Sequence, residues 1–141
     1  MEQTRPKVGI GLLLIKDGKI LLGKRKSALG LGEYGGPGGH LELLETFEEC
    51  ILRELAEEAG PHIKVKNVRF LCLTNMRKYA PKHYVDIGMA ADWMSGEPRV
   101  EEPNKLESWE WYDIEHLPSP LFGVEPNYIE AYKTGKAYFE E

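Results

Sequence analysis

The chain has 141 residues, with 18 Lys+Arg against 23 Asp+Glu and a formal net charge of −5. That length suits one domain of roughly 100–200 residues, and a negative surface repels nucleic-acid phosphates, so no nucleic-acid partner is expected. Hydrophobic residues at 42% and charged residues at 29% exclude a disordered chain, and the one compositional excess is glycine, 15 residues in all.

The first residues, Met1 to Arg5, lack the apolar stretch of a signal peptide. The longest apolar run, Val8 to Ile15, falls far short of the about 20 residues a membrane span requires. A cytoplasmic single domain over residues 1–141, with no membrane partner, is expected. Asp17-Gly18 separates that run from Ile20-Leu21-Leu22, a hairpin signal in which both central residues take positive φ. Residues 27–39 hold six glycines and a proline, a loop whose backbone is free to approach another group closely. Thr46 with Glu49 three residues on forms a capping box. The helix it opens is predicted over 46–59, ending at Gly60-Pro61. Residues 63–75, 83–93 and 109–112 read as strands, with a turn at Ser95-Gly96-Glu97-Pro98. A terminal helix over 127–137 is expected to turn Tyr128, Ile129 and Tyr132 inward. Cys50 and Cys72 sit in apolar runs and read as buried, reduced thiols. Strands around a central helix point to an α+β or α/β sandwich.

The helix over 46–59 carries the chemistry. Phe47, Cys50 and Ile51 define an apolar arc, and continuing that arc one turn at a time meets Glu54 and Glu58, with Glu57 about 60° to one side. Leu52, Leu55, Ala56 and Ala59 carry a second apolar stripe. A merely solvated face would place its carboxylates opposite both. Like charges one turn apart repel, and Arg53 is the single cation of the helix. Oxygen-only ligands of this kind suit a hard divalent ion, Mg²⁺ or Mn²⁺, that also binds substrate phosphates.

The pattern Gly39-x₅-Glu45-x₇-Arg53-Glu54-Leu55-Ala56-Glu57-Glu58-Ala59-Gly60 resembles the Nudix box, departing from it where Pro61 takes the final aliphatic position. Leu22–Ser27, Pro37–Glu42 and Glu107–Trp111 are further similar to the MutT-homologue branch that sanitises nucleotide pools. The resemblance implies an α/β/α sandwich with a mixed central sheet and one catalytic helix. It implies Mg²⁺-dependent hydrolysis of a nucleoside triphosphate, ordinary or oxidised or otherwise modified, to a monophosphate and pyrophosphate, and a homodimer, for which the aromatic stretch and C-terminal tyrosines could supply the interface. Glu54, Glu57, Glu58 and the carbonyl of Gly39 are the expected metal ligands. Arg53 is expected to orient Glu45 or Glu57 through a bidentate pair, and Glu57, Glu54 or Glu107 to serve as general base, Glu107 from the place where relatives carry a late-loop glutamate. Lys24, Arg25, Gly38, His40 and His83 are the expected substrate contacts, with Tyr84 beside His83. Trp109 and Trp111 are read as core residues, and His62 and His116 as solvent-facing. Gly35-Gly36 and Gly123 replace bulkier residues of relatives that act on oxidised guanine nucleotides, which predicts either a wider base pocket or the loss of a stacking surface, and argues against guanine specificity. Two alternatives remain open: another diphosphate (a nucleotide sugar, dihydroneopterin triphosphate or a prenyl diphosphate), or a non-catalytic ligand-binding module.

Overall fold

The computed structural model describes residues 4–141; Met1, Glu2 and Gln3, on which part of the N-terminal reading falls, lie outside the described residues. Its elements in chain order are β1 (Lys7–Lys16), β2 (Lys19–Arg25), β3 (Tyr34–Gly35), β4 (Gly38–His40), α1 (Phe47–Ala59), β5 (Lys64–Met76), β6 (Tyr84–Ser95), β7 (Leu106–Asp113), α2 (Glu125–Thr134) and β8 (Tyr138–Glu140). They form an α/β/α sandwich on a mixed sheet of path β3-β2-β1-β6-β5-β8, with β7 paired to β2 and β4 to β1.

β1 is apolar without interruption because both of its faces are covered. Ile10, Leu12 and Leu14 pack with Cys50, Ile51, Leu55 and Ala59 of α1. Leu13 and Ile15 pack on the opposite face with Val124, Tyr128, Ile129 and Ala131. Asp17 (φ 49°) and Gly18 (φ 77°) make the expected turn into β2. The two strands pair only at Ile15↔Ile20 and Lys16↔Lys19 and then separate. Beyond that point β1 takes β4 as its antiparallel neighbour on the same edge, through Gly9↔His40, Ile10↔Gly39 and Gly11↔Gly38. On its other edge it runs parallel to β6 from Lys7↔Tyr84 to Ile15↔Asp92. The divergence of β1 from β2 opens the cleft that holds the site. Among the described residues no helix is long and apolar enough to cross a membrane.

Several expectations are corrected. Phe47 and Leu52 are exposed, because the stripe that meets the sheet is Cys50, Ile51, Leu55 and Ala59. Tyr132 is exposed as well. α2 ends at Gly135 (φ 82°), and the core position at that end is filled by Phe139 of β8, a strand the sequence reading missed. Pro61 is exposed, and Ile63 supplies the apolar contact beyond the helix instead.

Candidate active site

α1 begins with Thr46 Oγ1 accepting from the Glu49 N–H and Glu49 Oε1 accepting from the Thr46 N–H, so the capping box fixes its first turn at the rim of the cleft. One turn on, Arg53 is the hub of the acidic cluster. Its Nε and Nη2 donate to Glu45 Oε2 (2.7 Å) and Oε1 (3.0 Å), a bidentate pair with one of the two partners, Glu45 or Glu57, expected of it. Its Nη1 donates to Glu54 Oε1 at 2.8 Å, and Glu57 and Glu42 stand 3.5 and 3.4 Å away. One cation thus faces four carboxylates. The Arg53 bond holds Glu45 down at about 2. Glu54 moves the other way, pushed up by burial against the pull of Arg53.

Glu58, a turn deeper, is pushed up to about 8, first by burial and then by Glu54 and Glu102, although the Gly38 N–H donating to its Oε1 (2.9 Å) opposes the shift. β4 brings the glycines to these carboxylates. A side chain at Gly39 would stand 2.5 Å from Glu54 Oε2 and closer still to Oε1, so only glycine lets that carboxylate lie against the strand.

The cleft has a volume of about 620 Å³ and is lined by Glu54, Glu57, Glu58 and Glu102 at one end. Arg25 forms part of one wall. Its guanidinium lies 3.8 Å from the Phe122 ring centroid and is anchored by Leu29 O and Ser27 Oγ, both at 3.1 Å. The His40 and Tyr84 rings stack 5.8 Å apart on another wall. Trp109 also lines the cleft, and its Nε1–H donates to Glu58 O at 3.0 Å. It is therefore a site residue as well as the core residue expected. Trp111 stays in the core. At the far end lie Asp86, Glu125 and Tyr128, which sequence reasoning missed as site residues; one acid on a strand, and one acid and a tyrosine on a terminal helix, carry no local signal of meeting.

Three expected contacts fall elsewhere. Lys24 and Glu107 pair with each other at 3.7 Å, both exposed and outside the cleft lining, because Lys24 alternates with Arg25 across β2 and sits beside Ser108 of β7. Glu102 supplies the late-loop carboxylate instead, its segment tied down by the Glu101 N–H donating to Glu58 O (3.3 Å). His83 is turned to Asn75 (2.6 Å), while Tyr84, next in the chain, faces the cleft. Gly35 and Gly36, where a wider pocket is expected, line the cleft, and both meet side chains from the segment that opens α2. Glu125 Oε1 takes the Gly36 N–H at 2.6 Å, and the Phe122 side chain closes over Gly35. Arg25, Gly38, Gly39, His40, Glu54, Glu57 and Glu58 do converge. His116 is exposed as expected, whereas His62 is half-buried and bonded to Glu97 O.

Among the described residues no three metal-ligating side chains stand in a ready-made cage. Their chemistry nevertheless fits a hard divalent cation: half-buried, oxygen-only donors, which burial above all, with neighbouring carboxylates adding to it, makes reluctant to ionise without one.

The NUDIX domain profile matches residues 4–134. An ADP-ribose pyrophosphatase of Methanocaldococcus jannaschii is 35% identical over 85% of this chain and 69% of its own. An oxidized purine nucleoside triphosphate hydrolase of Danio rerio is 30% identical over 76% of this chain and 66% of its own. Among solved structures, a MutT NUDIX hydrolase from Burkholderia pseudomallei superposes with a TM-score of 0.83 at 37% identity, covering 90% of this chain and 98% of that one.

Proposed function

The chain belongs to the Nudix family of hydrolases, and from that premise we propose that it hydrolyses nucleoside triphosphates, with Mg²⁺, to a monophosphate and pyrophosphate. The observation that carries this reading is a single cleft joining an acidic phosphate end at α1 to an enclosed polar end at Asp86 and Glu125. A volume of about 620 Å³ suits a nucleoside-sized ligand, since such sites span roughly 300–1,000 Å³.

Glu54, Glu58 and the Gly39 carbonyl would hold the ion, which supplies charge neutralisation at the phosphoryl oxygens when bound. Phosphoryl transfer of this kind needs positioning and charge complementarity rather than a covalent nucleophile. Arg53 positions Glu54 while clamped by Glu45. Glu57 is the general base: it is the most open of the three box carboxylates along the cleft, and its nearest cation is 3.5 Å away, so it is free to take a proton from water. Arg25, with two donors spent on its own loop and burial pulling its pKa down from the usual value, directs its remaining donors to the phosphates. His40 and Tyr84 flank the nucleoside.

A second reading, a nucleotide sugar such as ADP-ribose, is favoured by the name of the 35%-identical relative. Product analysis separates the two. The purified protein with Mg²⁺ is given nucleoside triphosphates, ADP-ribose and prenyl diphosphates, beside a Glu54→Gln/Glu58→Gln variant. Monophosphate and pyrophosphate, lost in the variant, are expected. Turnover of ADP-ribose alone would replace this reading with the second, and no turnover by a natively folded, metal-binding protein would leave a binding module.

A further inference from the structure

The end of the cleft remote from α1 is built at a cost that the phosphate chemistry does not explain. Asp86 and Glu125 are 8% and 5% exposed and sit beside the fully buried Tyr128. Among the described residues neither carboxyl forms an ion pair with a lysine, arginine or histidine. A fold selected for stability alone would fill such a site with apolar side chains, because uncompensated buried carboxyls are strongly unfavourable.

The site is shaped around these groups. Gly11 and Gly88 pair across β1 and β6, and the Tyr128 ring lies over both, so a side chain at either would come within 2.8 Å of it. From there the Tyr128 hydroxyl donates to Asp86 Oδ2. The other oxygen, Oδ1, has its room from Gly9, where a Cβ would stand 3.3 Å away. Glu125 is locked by the Gly36 N–H through Oε1, and its Oε2 has no hydrogen-bond partner. The Tyr128 hydroxyl is therefore spent on holding Asp86 in place, and what Asp86 keeps for the cleft it lines is the acceptor capacity of Oδ1. Burial pushes both carboxyls up, and the Tyr128 hydroxyl donating to Asp86 pulls that one back down.

We infer that this floor reads the exocyclic amino group of the substrate's nucleobase, Asp86 accepting its N–H, and so selects amino-bearing bases over the same bases without the amino group. The inference rests on the nucleoside triphosphate reading above. A ligand carrying only acceptors at that position would set oxygen against oxygen, whereas an amino group meets a charged acceptor, an interaction of roughly 1.5–3 kcal/mol, or about 10- to 100-fold.

The test compares kcat/KM within pairs that differ by one amino group: GTP with ITP, and ATP with purine riboside triphosphate. In the pair whose amino-bearing member is the better substrate, removing the amino group is expected to cost 10-fold or more. In Asp86→Asn the single amide oxygen is claimed by the Tyr128 hydroxyl, which leaves NH₂ facing the ligand; the preference should vanish or invert. Tyr128→Phe keeps the carboxylate and should keep the direction of the preference. Ratios near one in the unaltered protein overturn the inference while leaving triphosphate hydrolysis standing. So does an unchanged ratio in a natively melting Asp86→Asn protein. Hydrolysis of ADP-ribose with no triphosphate turned over removes both.

Discussion

Replacing Gly39 with alanine tests how strictly the chemistry depends on where Glu54 rests. The added Cβ would lie 2.5 Å from Glu54 Oε2, where ordinary contact begins at 3.4 Å, so the carboxylate must retreat by about 1 Å, a displacement that costs on the order of 10²-fold when it misplaces a reacting group. Gly39 has no positive φ to lose, and what it meets is the end of a flexible side chain. The stability cost should stay near 1 kcal/mol, a fall of about 4 °C in Tm. The expected result is a kcat some 100-fold lower in a protein that melts almost normally, with weaker divalent-ion binding by calorimetry. Gly38→Ala is the contrasting case. Its Cβ would meet the Ile10 carbonyl oxygen at 2.5 Å, which is backbone inside the sheet and has nowhere to go, so the loss should appear as about 1–3 kcal/mol of stability. A Gly39→Ala protein with kcat within threefold of the parent would refute the claim that glycine is kept there for Glu54.

Arg53→Lys should lower kcat/KM by at least 10-fold, because a single ammonium cannot make the bidentate Glu45 pair and reach Glu54 together; steady-state kinetics would show it, and near-parental activity would sink it. The ordinary Glu125 pKa of 4.5 rises to about 8 in the fold, so the folded state holds this proton more tightly than the unfolded chain, and stability should be lost as pH climbs through that window. Melting curves of Glu125→Gln should therefore fall less steeply with pH than those of the parent, and parallel curves would contradict the assignment. Burial pushes both Cys50 and Cys72 up to about 12. A thiol reagent at neutral pH should accordingly titrate neither in the native protein and both after denaturation.

What the sequence announces here is local. The capping box at Thr46–Glu49 and the Asp17-Gly18 turn each need only neighbours in the chain, and both appear where expected. For Arg53 the family resemblance narrowed the partner only to Glu45 or Glu57, and the fold gives the bidentate bond to Glu45 while Glu57 stands 3.5 Å away. Readings failed where a distant segment decides the outcome. Glycines at 35 and 36 give no sign that Glu125, 89 residues away, bonds to Gly36. Glu107 sits at a suggestive position, yet strand alternation sends it to Lys24, and Glu102 enters the cleft because its segment is hydrogen-bonded to the helix. Tyr132 carries the right spacing for burial and loses the position to Phe139, which returns from beyond the helix end. Spacing reports which residues share a face, not what else competes for it.

The two ends of the cleft have one strand in common. Gly39, against which Glu54 lies, and Asp86 both stand on strands laddered to β1, through Ile10↔Gly39 on one edge and Gly9↔Asp86 on the other, so the hydrogen-bonded ladder itself fixes how far the proposed phosphate end stands from the proposed base end. The cleft therefore behaves as a gauge of set length. Substitutions at either end change what is gripped but not the separation between grips, and a one-residue slip of β1 would reverse its inward and outward faces and destroy both ends together. Adapting this protein to a longer ligand would have to proceed through segments outside that ladder, such as the stretch carrying Phe122 to Val124, which lines the cleft without belonging to any strand.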